Sequence, residues 1–130
     1  MQADLQATMQ DLVGIVRNRA DMEEALTRLE SLNERAARVA APGNREYNPG
    51  WHTCLDLHNL LTVSEAIARA ALHRKESRGA QFREDYPAKD EELGTVNSVV
   101  RRRDDGSMEV GFEPVPTLSD EQRGIIEEMG

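Results

Sequence analysis

The groups best able to do chemistry in this chain are charged and hydroxyl side chains crowded into one short stretch. Arg74 to Pro87 reads RKESRGAQFREDYP and holds alternating charges, one glycine and two of the five aromatic residues within fourteen positions. Such a mixture suits neither a buried core element nor a plain solvated helix face. The guanidinium groups of Arg78 and Arg83 can each make bidentate, charge-assisted bonds to carboxylates or phosphates. The stretch therefore reads as a docking or ligand-facing loop, with a mobile charged connector as the alternative. Phe82 and Tyr86 frame Glu84 and Asp85 at a spacing of four, so a helical continuation would give the two aromatics one apolar footprint.

Elsewhere the reactive residue types are scattered. His52, His58 and His73 fall six and fifteen positions apart, which puts the first pair on different faces of a helix and predicts no shared metal. His58, between Leu57 and Asn59, reads as a partly buried hydrogen-bonder. The acid pairs Glu23–Glu24, Glu91–Glu92 and Glu127–Glu128 read as solvated faces rather than general acid–base pairs. Cys54 is the single cysteine, so it has no internal disulfide partner and no metal-ligand spacing, and reads as a buried thiol on a helix. There is no glycine fingerprint for a dinucleotide, no phosphate loop and no zinc motif. No catalytic, cofactor-binding or metal-binding residue is expected in this chain.

The elements that must position the stretch are set by apolar spacing. Leu5, Met9, Leu12, Val13 and Val16 make one face of a helix from Ala3 to about Arg17, with Asn18 as its stop. Asp21 followed by Glu24 resembles a capping box that starts a second helix with the stripe Met22, Ala25, Leu26, Leu29, Leu32, Ala36 and Val39. Two Pro-Gly pairs between Pro42 and Gly50 force a loop. A third helix is expected from a cap at Thr53 and Asp56. Its stripe is Leu57, Leu60, Leu61, Ser64, Ile67, Ala68 and Ala71, ending near Arg74. Valine-rich runs from Thr95 to Arg102 and Met108 to Glu113, with Asp105-Gly106 between them, predict a β-hairpin. Ser119 and Gln122 cap a last short helix through Ile125 and Ile126.

The 130 residues fit one domain, and aromatic content of only 4% implies an aliphatic core. The expected fold is mainly α: an antiparallel three-helix bundle of the spectrin-repeat kind, with a C-terminal tail containing a short β-hairpin and a terminal helix. The expected organisation is a bundle over residues 1–75, a docking loop over 76–94 and the tail over 95–130. A net charge of −8 argues against a nucleic-acid binder, and the basic run Arg101 to Arg103 is balanced at once by Asp104 and Asp105. No run of about eighteen apolar residues is present to span a bilayer, and the start lacks the apolar core of a signal peptide, so the chain reads as cytosolic.

The central stretch resembles the motif after the third helix in the C-terminal domain of succinate dehydrogenase and fumarate reductase flavoprotein subunits. Members of that family commonly carry Glu-Ser-Arg-Gly-Ala-His, then Arg-Glu-Asp and an aromatic residue. The likeness extends to Met9, Gln10 and Arg17 upstream, to the run Leu55 to Leu60, and to Gly106 through Val115 downstream. Gln81 stands where many members have histidine, which argues against proton chemistry there. Leu93-Gly94-Thr95 replaces a region that often holds tryptophan and a His-Thr pair, which leaves the branch of the family open.

The resemblance implies a multidomain oxidoreductase that interconverts succinate and fumarate through FAD. The flavin, the dicarboxylate-binding residues and the proton-shuttling arginine would lie in earlier domains, and about 400 residues are expected to precede Met1 on typical domain sizes. It implies an isolated chain that is inactive and holds no FAD. Glu76, Ser77, Arg78, Gly79, Arg83, Asp85 and Tyr86 would dock on the flavin-binding and capping domains. An iron-sulfur subunit would be a partner of the parent, placed on the cytoplasmic face of the cell membrane without direct insertion. L-aspartate oxidase, more distantly adenylylsulfate reductase flavoproteins, and a freestanding helical interaction module are the alternatives.

Overall fold

In the computed structural model, residues 1–129 are described, and they form a mainly α structure. Three helices make an antiparallel bundle: α1 (Gln2–Leu12), α2 (Arg19–Ala36) and α3 (Pro49–His73). Between them and after them run two short paired strands, β1 (Val16–Arg17) and β2 (Phe82–Arg83), then a hairpin of β3 (Val96–Arg102) and β4 (Met108–Pro114), and finally α4 (Asp120–Met129). The core is aliphatic, as the composition requires: Leu5, Val13, Ala25, Leu29, Leu32, Ala36, Leu57, Leu61 and Ala68 are buried together. Each fully buried leucine contributes on the order of 2 kcal/mol relative to an exposed one.

The first helix ends at Leu12, short of the expected Arg17. Val13 caps it, and a Cβ on Gly14 would lie 2.8 Å from the Gln10 carbonyl oxygen, so the chain turns where only glycine fits. The chain then enters β1 instead of continuing as helix. This strand pairs in parallel with β2, Val16 opposite Phe82 and Arg17 opposite Arg83. Val16 therefore leaves the helical stripe and is exposed.

The second helix starts earlier than the Asp21 cap predicted. Asn18 is the N-cap: its Oδ1 accepts from the Asp21 amide at 2.9 Å, and its Nδ2 donates to Asp21 Oδ2 at 2.8 Å. The buried face is Met22, Ala25, Leu29, Leu32 and Ala36, while Val39 falls beyond the helix end. The third helix also starts earlier, at Pro49. Asn48 caps it by accepting from the Gly50 amide at 3.0 Å, and Pro49 fits the first turn, where its missing N–H has no intrahelical partner anyway. Leu57, Leu61, Ser64, Ala68 and Ala71 face inward, but Leu60 and Ile67 of the expected stripe are exposed on its flank.

The hairpin pairs Val96 with Pro114 through Arg102 with Met108. Its turn is a tight loop: Arg103 O accepts from Gly106 N, Arg103 N donates to Ser107 O, and Gly106 has φ +86. It lies on α3, with the rings of His73 and Phe112 4.5 Å apart. The capping box of α4 is formed as expected, Ser119 N donating to Gln122 Oε1 at 3.0 Å and Gln122 N to Ser119 Oγ at 3.2 Å.

Candidate functional site

The chain leaving α3 folds into a compact knot of charge rather than a mobile connector. The helix ends at His73, and Arg74 is already extended. This leaves the last carbonyls of α3 without intrahelical partners, and the partial negative charge there favours a cation. Arg83 supplies it. Its Nη1 donates to the carbonyls of Ala71 at 2.8 Å, Leu72 at 3.2 Å and Arg74 at 3.1 Å.

The remaining donors of Arg83 form a fork onto Asp85, Nε to Oδ1 at 2.8 Å and Nη2 to Oδ2 at 2.7 Å. Asp85 Oδ2 also accepts from the Arg19 amide at 3.2 Å, and Glu84 Oε2 accepts from Asn18 Nδ2 at 3.2 Å. The C-terminus of α3 is thereby tied to the N-terminus of α2. Arg83 is only 1% exposed, and its guanidinium carbon lies 5.1 Å from the centre of the Tyr86 ring.

A second centre forms around Glu76, which is fully buried. Its Oε1 accepts from Arg74 Nε at 2.7 Å and Arg78 Nε at 2.9 Å, and its Oε2 accepts from the Asp90 amide at 2.9 Å. Arg74 continues to the carbonyls of Val96, at 3.1 Å, and of Leu93, so this carboxylate links the bundle to the base of the hairpin. The bond from Arg78, with help from the Asp90 amide and Arg74, outweighs burial and holds the Glu76 carboxyl down at about 2. The same contact raises Arg78 above the ordinary arginine value. Arg83 likewise depresses Asp85. Arg17 is lowered, first by burial and then by the nearby Arg83 charge.

Ser77 and Gln81 stitch the two centres together. Ser77 Oγ accepts from the Arg83 amide and donates to the Tyr86 carbonyl, both at 2.8 Å. Gln81 accepts from Arg17 Nη1 at 3.0 Å and donates to the carbonyls of Arg74 at 3.2 Å and Glu76 at 3.3 Å. Arg78 and Gln81 exchange backbone hydrogen bonds around Gly79, whose φ is +60. A positive φ at the first central position of such a turn is one that glycine favours. A Cβ there would meet nothing within 4 Å, so the backbone angle, not a close approach, calls for glycine.

The sequence-predicted residues thus divide. Glu76, Ser77 and Arg83 point into this chain and spend their polar atoms there, while Arg78, Gly79, Asp85 and Tyr86 reach the surface. Phe82 and Tyr86 do not share a helical footprint, because Phe82 lies in β2 and Tyr86 in the turn after it. His58 is exposed rather than partly buried, and Cys54 is half-buried. Among the described residues no three His, Cys, Asp or Glu side chains gather as a metal site, and no buried side-chain nitrogen or oxygen lacks a hydrogen-bond partner.

Sequence reasoning missed Arg17, Arg74, Gln81, Asp90 and Gly94 as members of the network. Gly94 shows how: a Cβ there would lie 2.7 Å from Arg78 Nη2, so it makes room for that guanidinium, a contact that nothing in its local sequence announces. Arg17 was hidden because it stood at the end of an apparent helix that is in fact a strand there.

Comparison with known proteins fits this architecture. A fumarate reductase flavoprotein subunit of Mycobacterium tuberculosis is 35% identical over 116 residues, covering 88% of this chain and 20% of the relative. An L-aspartate oxidase of Acinetobacter baylyi is 38% identical over 90 residues, covering 69% of this chain and 16% of the relative. The apo form of the Mycobacterium smegmatis Sdh1 complex contains a chain with TM-score 0.78 and 44% identity, over 86% of this chain and 19% of that one. The chain therefore spans about a fifth of the length of the curated relatives it matches. The family model described as fumarate reductase flavoprotein C-term matches residues 2–122, and the chain belongs to that family.

Proposed function

We propose that this chain serves as the C-terminal helical domain of a succinate dehydrogenase/fumarate reductase-type FAD flavoprotein, bracing and docking on the flavin domain without supplying catalytic residues. Within it, residues 1–75 act as the bundle, 76–94 as the docking loop and 95–130 as the tail. The observation that carries this reading is the apolar surface beside the signature network. Ile15, Val16 and Phe82 are exposed on and next to the paired strands, and Val63 and Ile67 are exposed on the adjoining flank of α3. Ile67 shares a groove with Val13, Gly14 and Arg17, which joins the two parts. Arg78, Gly79, Asp85 and Tyr86 would add polar docking contacts from the surface of the loop, while Glu76, Ser77 and Arg83 hold the loop in shape from within.

FAD would belong to the parent and not to this chain. The chain's residues do not fit a dinucleotide: among the described residues each sheet has two strands, neither forms a strand-loop-helix phosphate cradle, and the buried donors of the signature stretch are already committed within the chain. The iron-sulfur subunit and a place on the inner face of the cell membrane would likewise come through the parent; no helix of the described residues is long and apolar enough to cross a membrane. The respiratory reading is preferred to an aspartate oxidase because the likeness runs over more of the chain.

Docking is tested by producing the chain and the flavin-domain polypeptide encoded upstream of it as separate chains and purifying one through a tag on the other. Co-purification is expected, and Val16→Glu with Val63→Glu should abolish it while leaving helical circular dichroism intact. Co-purification undiminished by the two glutamates would overturn the assignment of the face. The purified chain alone should show no flavin absorbance and no dye reduction with succinate; either signal would overturn the supporting role.

A further inference from the structure

The last helix stands apart from the rest of the molecule. No residue of α4 is buried, and Leu118, Ile125, Ile126 and Met129 are all exposed. Their spacing puts them on one face, with Asp120 and Glu127 opposite and Glu121 and Glu128 on a flank. The family match ends at residue 122, within α4 and before Ile125, Ile126 and Met129. A ten-residue helix is marginal in water unless something covers its apolar face.

A matching surface exists on the same chain. Between the hairpin and the α2–α3 pair runs a groove whose floor includes Leu26, Leu72, Met108, Val110 and Phe112. Its rim is basic, with Arg19, Arg69, Lys75 and Arg103 against the single carboxylate of Glu109, in a protein of net charge −8. Arg19, Arg69 and Arg103 have only exposed or half-exposed partners, Glu23, Glu65 and Glu109, and such pairs contribute a few tenths of a kcal/mol and exchange readily. Lys75 has no ion-pair partner among the described residues.

We propose that α4 folds back into this groove of its own chain, as an acidic, amphipathic strap that covers the hairpin. The dimensions fit. Ten helical residues span ~15 Å, and the groove-lining part of β4 from Met108 to Phe112 spans ~17 Å. The linker from Val115 to Ser119 reaches at most ~17 Å and starts at the hairpin end, where Val115 N donates to Thr95 O at 2.9 Å. From there α4 would run back along β4, bringing the flanking Glu121 to Lys75 and Glu128 to Arg69, while Asp120 and Glu127 face solvent. The short tether favours a chain's own α4 over a second copy, because it sets an effective concentration on the order of millimolar.

The test uses the full chain with Cys54→Ser as background. Val110→Cys with Ile126→Cys places one thiol in the groove and one on α4; Asn97→Cys with Ile126→Cys is the control, because Asn97 lies on the opposite face of the hairpin. Under oxidised glutathione the groove pair should close to an intrachain disulfide about tenfold faster than the control, seen as a faster-migrating monomer. Equal rates, no closure, or cross-linked dimers in place of monomers would each overturn the proposal. An independent measurement is amide exchange at Val110 and Phe112. With Ile125→Ser and Ile126→Ser in the otherwise native chain, exchange there should be about tenfold faster, and unchanged exchange would also overturn it.

Discussion

The junction after α3 and the C-terminal hairpin are both rich in arginine–carboxylate pairs, yet they use them in opposite ways. In the junction the pairs are Arg83–Asp85 and Arg74–Glu76–Arg78, and Arg83 and Glu76 are almost wholly removed from water. In the hairpin the pairs are Arg101–Glu113 and Arg103–Glu109, with every side chain roughly half exposed. Removing charges from water is costly, so a buried pair persists only where each lone pair and proton finds a partner. The junction meets that demand with helix-end carbonyls and backbone amides; the hairpin never faces it. The first set of charges therefore fixes how elements meet, whereas the second mainly decorates a surface.

The sharpest way to break this contrast is Arg83→Ala. It would leave Asp85 without its fork and three carbonyls at the end of α3 without their donor, and should destabilise the chain by about 3 to 5 kcal/mol in urea unfolding. Arg83→Lys should recover only part of this, because an ammonium cannot make the planar fork. A loss below about 1 kcal/mol for the alanine variant would place the junction with ordinary surface pairs.

Acid should separate the two regions next. The Glu76 carboxyl titrates at about 2 in the folded chain, below its ordinary value of 4.5, so the folded state binds its proton less readily than the unfolded state. Its contribution is fully present above about 4.5 and is lost as pH falls toward about 2. Asp85, also depressed, adds a loss of the same sign in acid. Thermal unfolding of the native chain should therefore fall steeply over that window, and Glu76→Gln should fall less steeply from a lower starting point. Parallel curves for the two proteins would remove Glu76 from the account. The smallest effect is expected for Arg101→Ala, which should change stability by less than about 1 kcal/mol, a difference that salt at about 1 M should shrink further.

Much of the bundle was legible because helical periodicity is local. The inward positions of α2, such as Met22, Ala25, Leu29 and Leu32, come from spacing alone, as do the hairpin around Gly106 and the Ser119 box. Element starts were less legible. Asn18 and Asn48 cap their helices in place of Asp21 and Thr53, because several polar residues near each start can accept an amide and the surrounding chain decides which one does. The strand at Val16 was invisible, since two residues of parallel pairing depend on a distant partner, Phe82 and Arg83.

The stretch from Arg74 to Pro87 was recognisable in sequence as the organising feature, but its inside and outside were not. Residue types alone determined that Arg78 and Arg83 can fork onto carboxylates and that Gly79 permits a positive φ. Tertiary structure decided that Arg83 closes the end of α3 and that Glu76 disappears beneath Arg74 and Arg78. It also decided that Val16, Phe82 and Ile67 are left exposed. The physical reason is that chemistry belongs to a side chain, whereas burial belongs to whatever the rest of the chain brings against it.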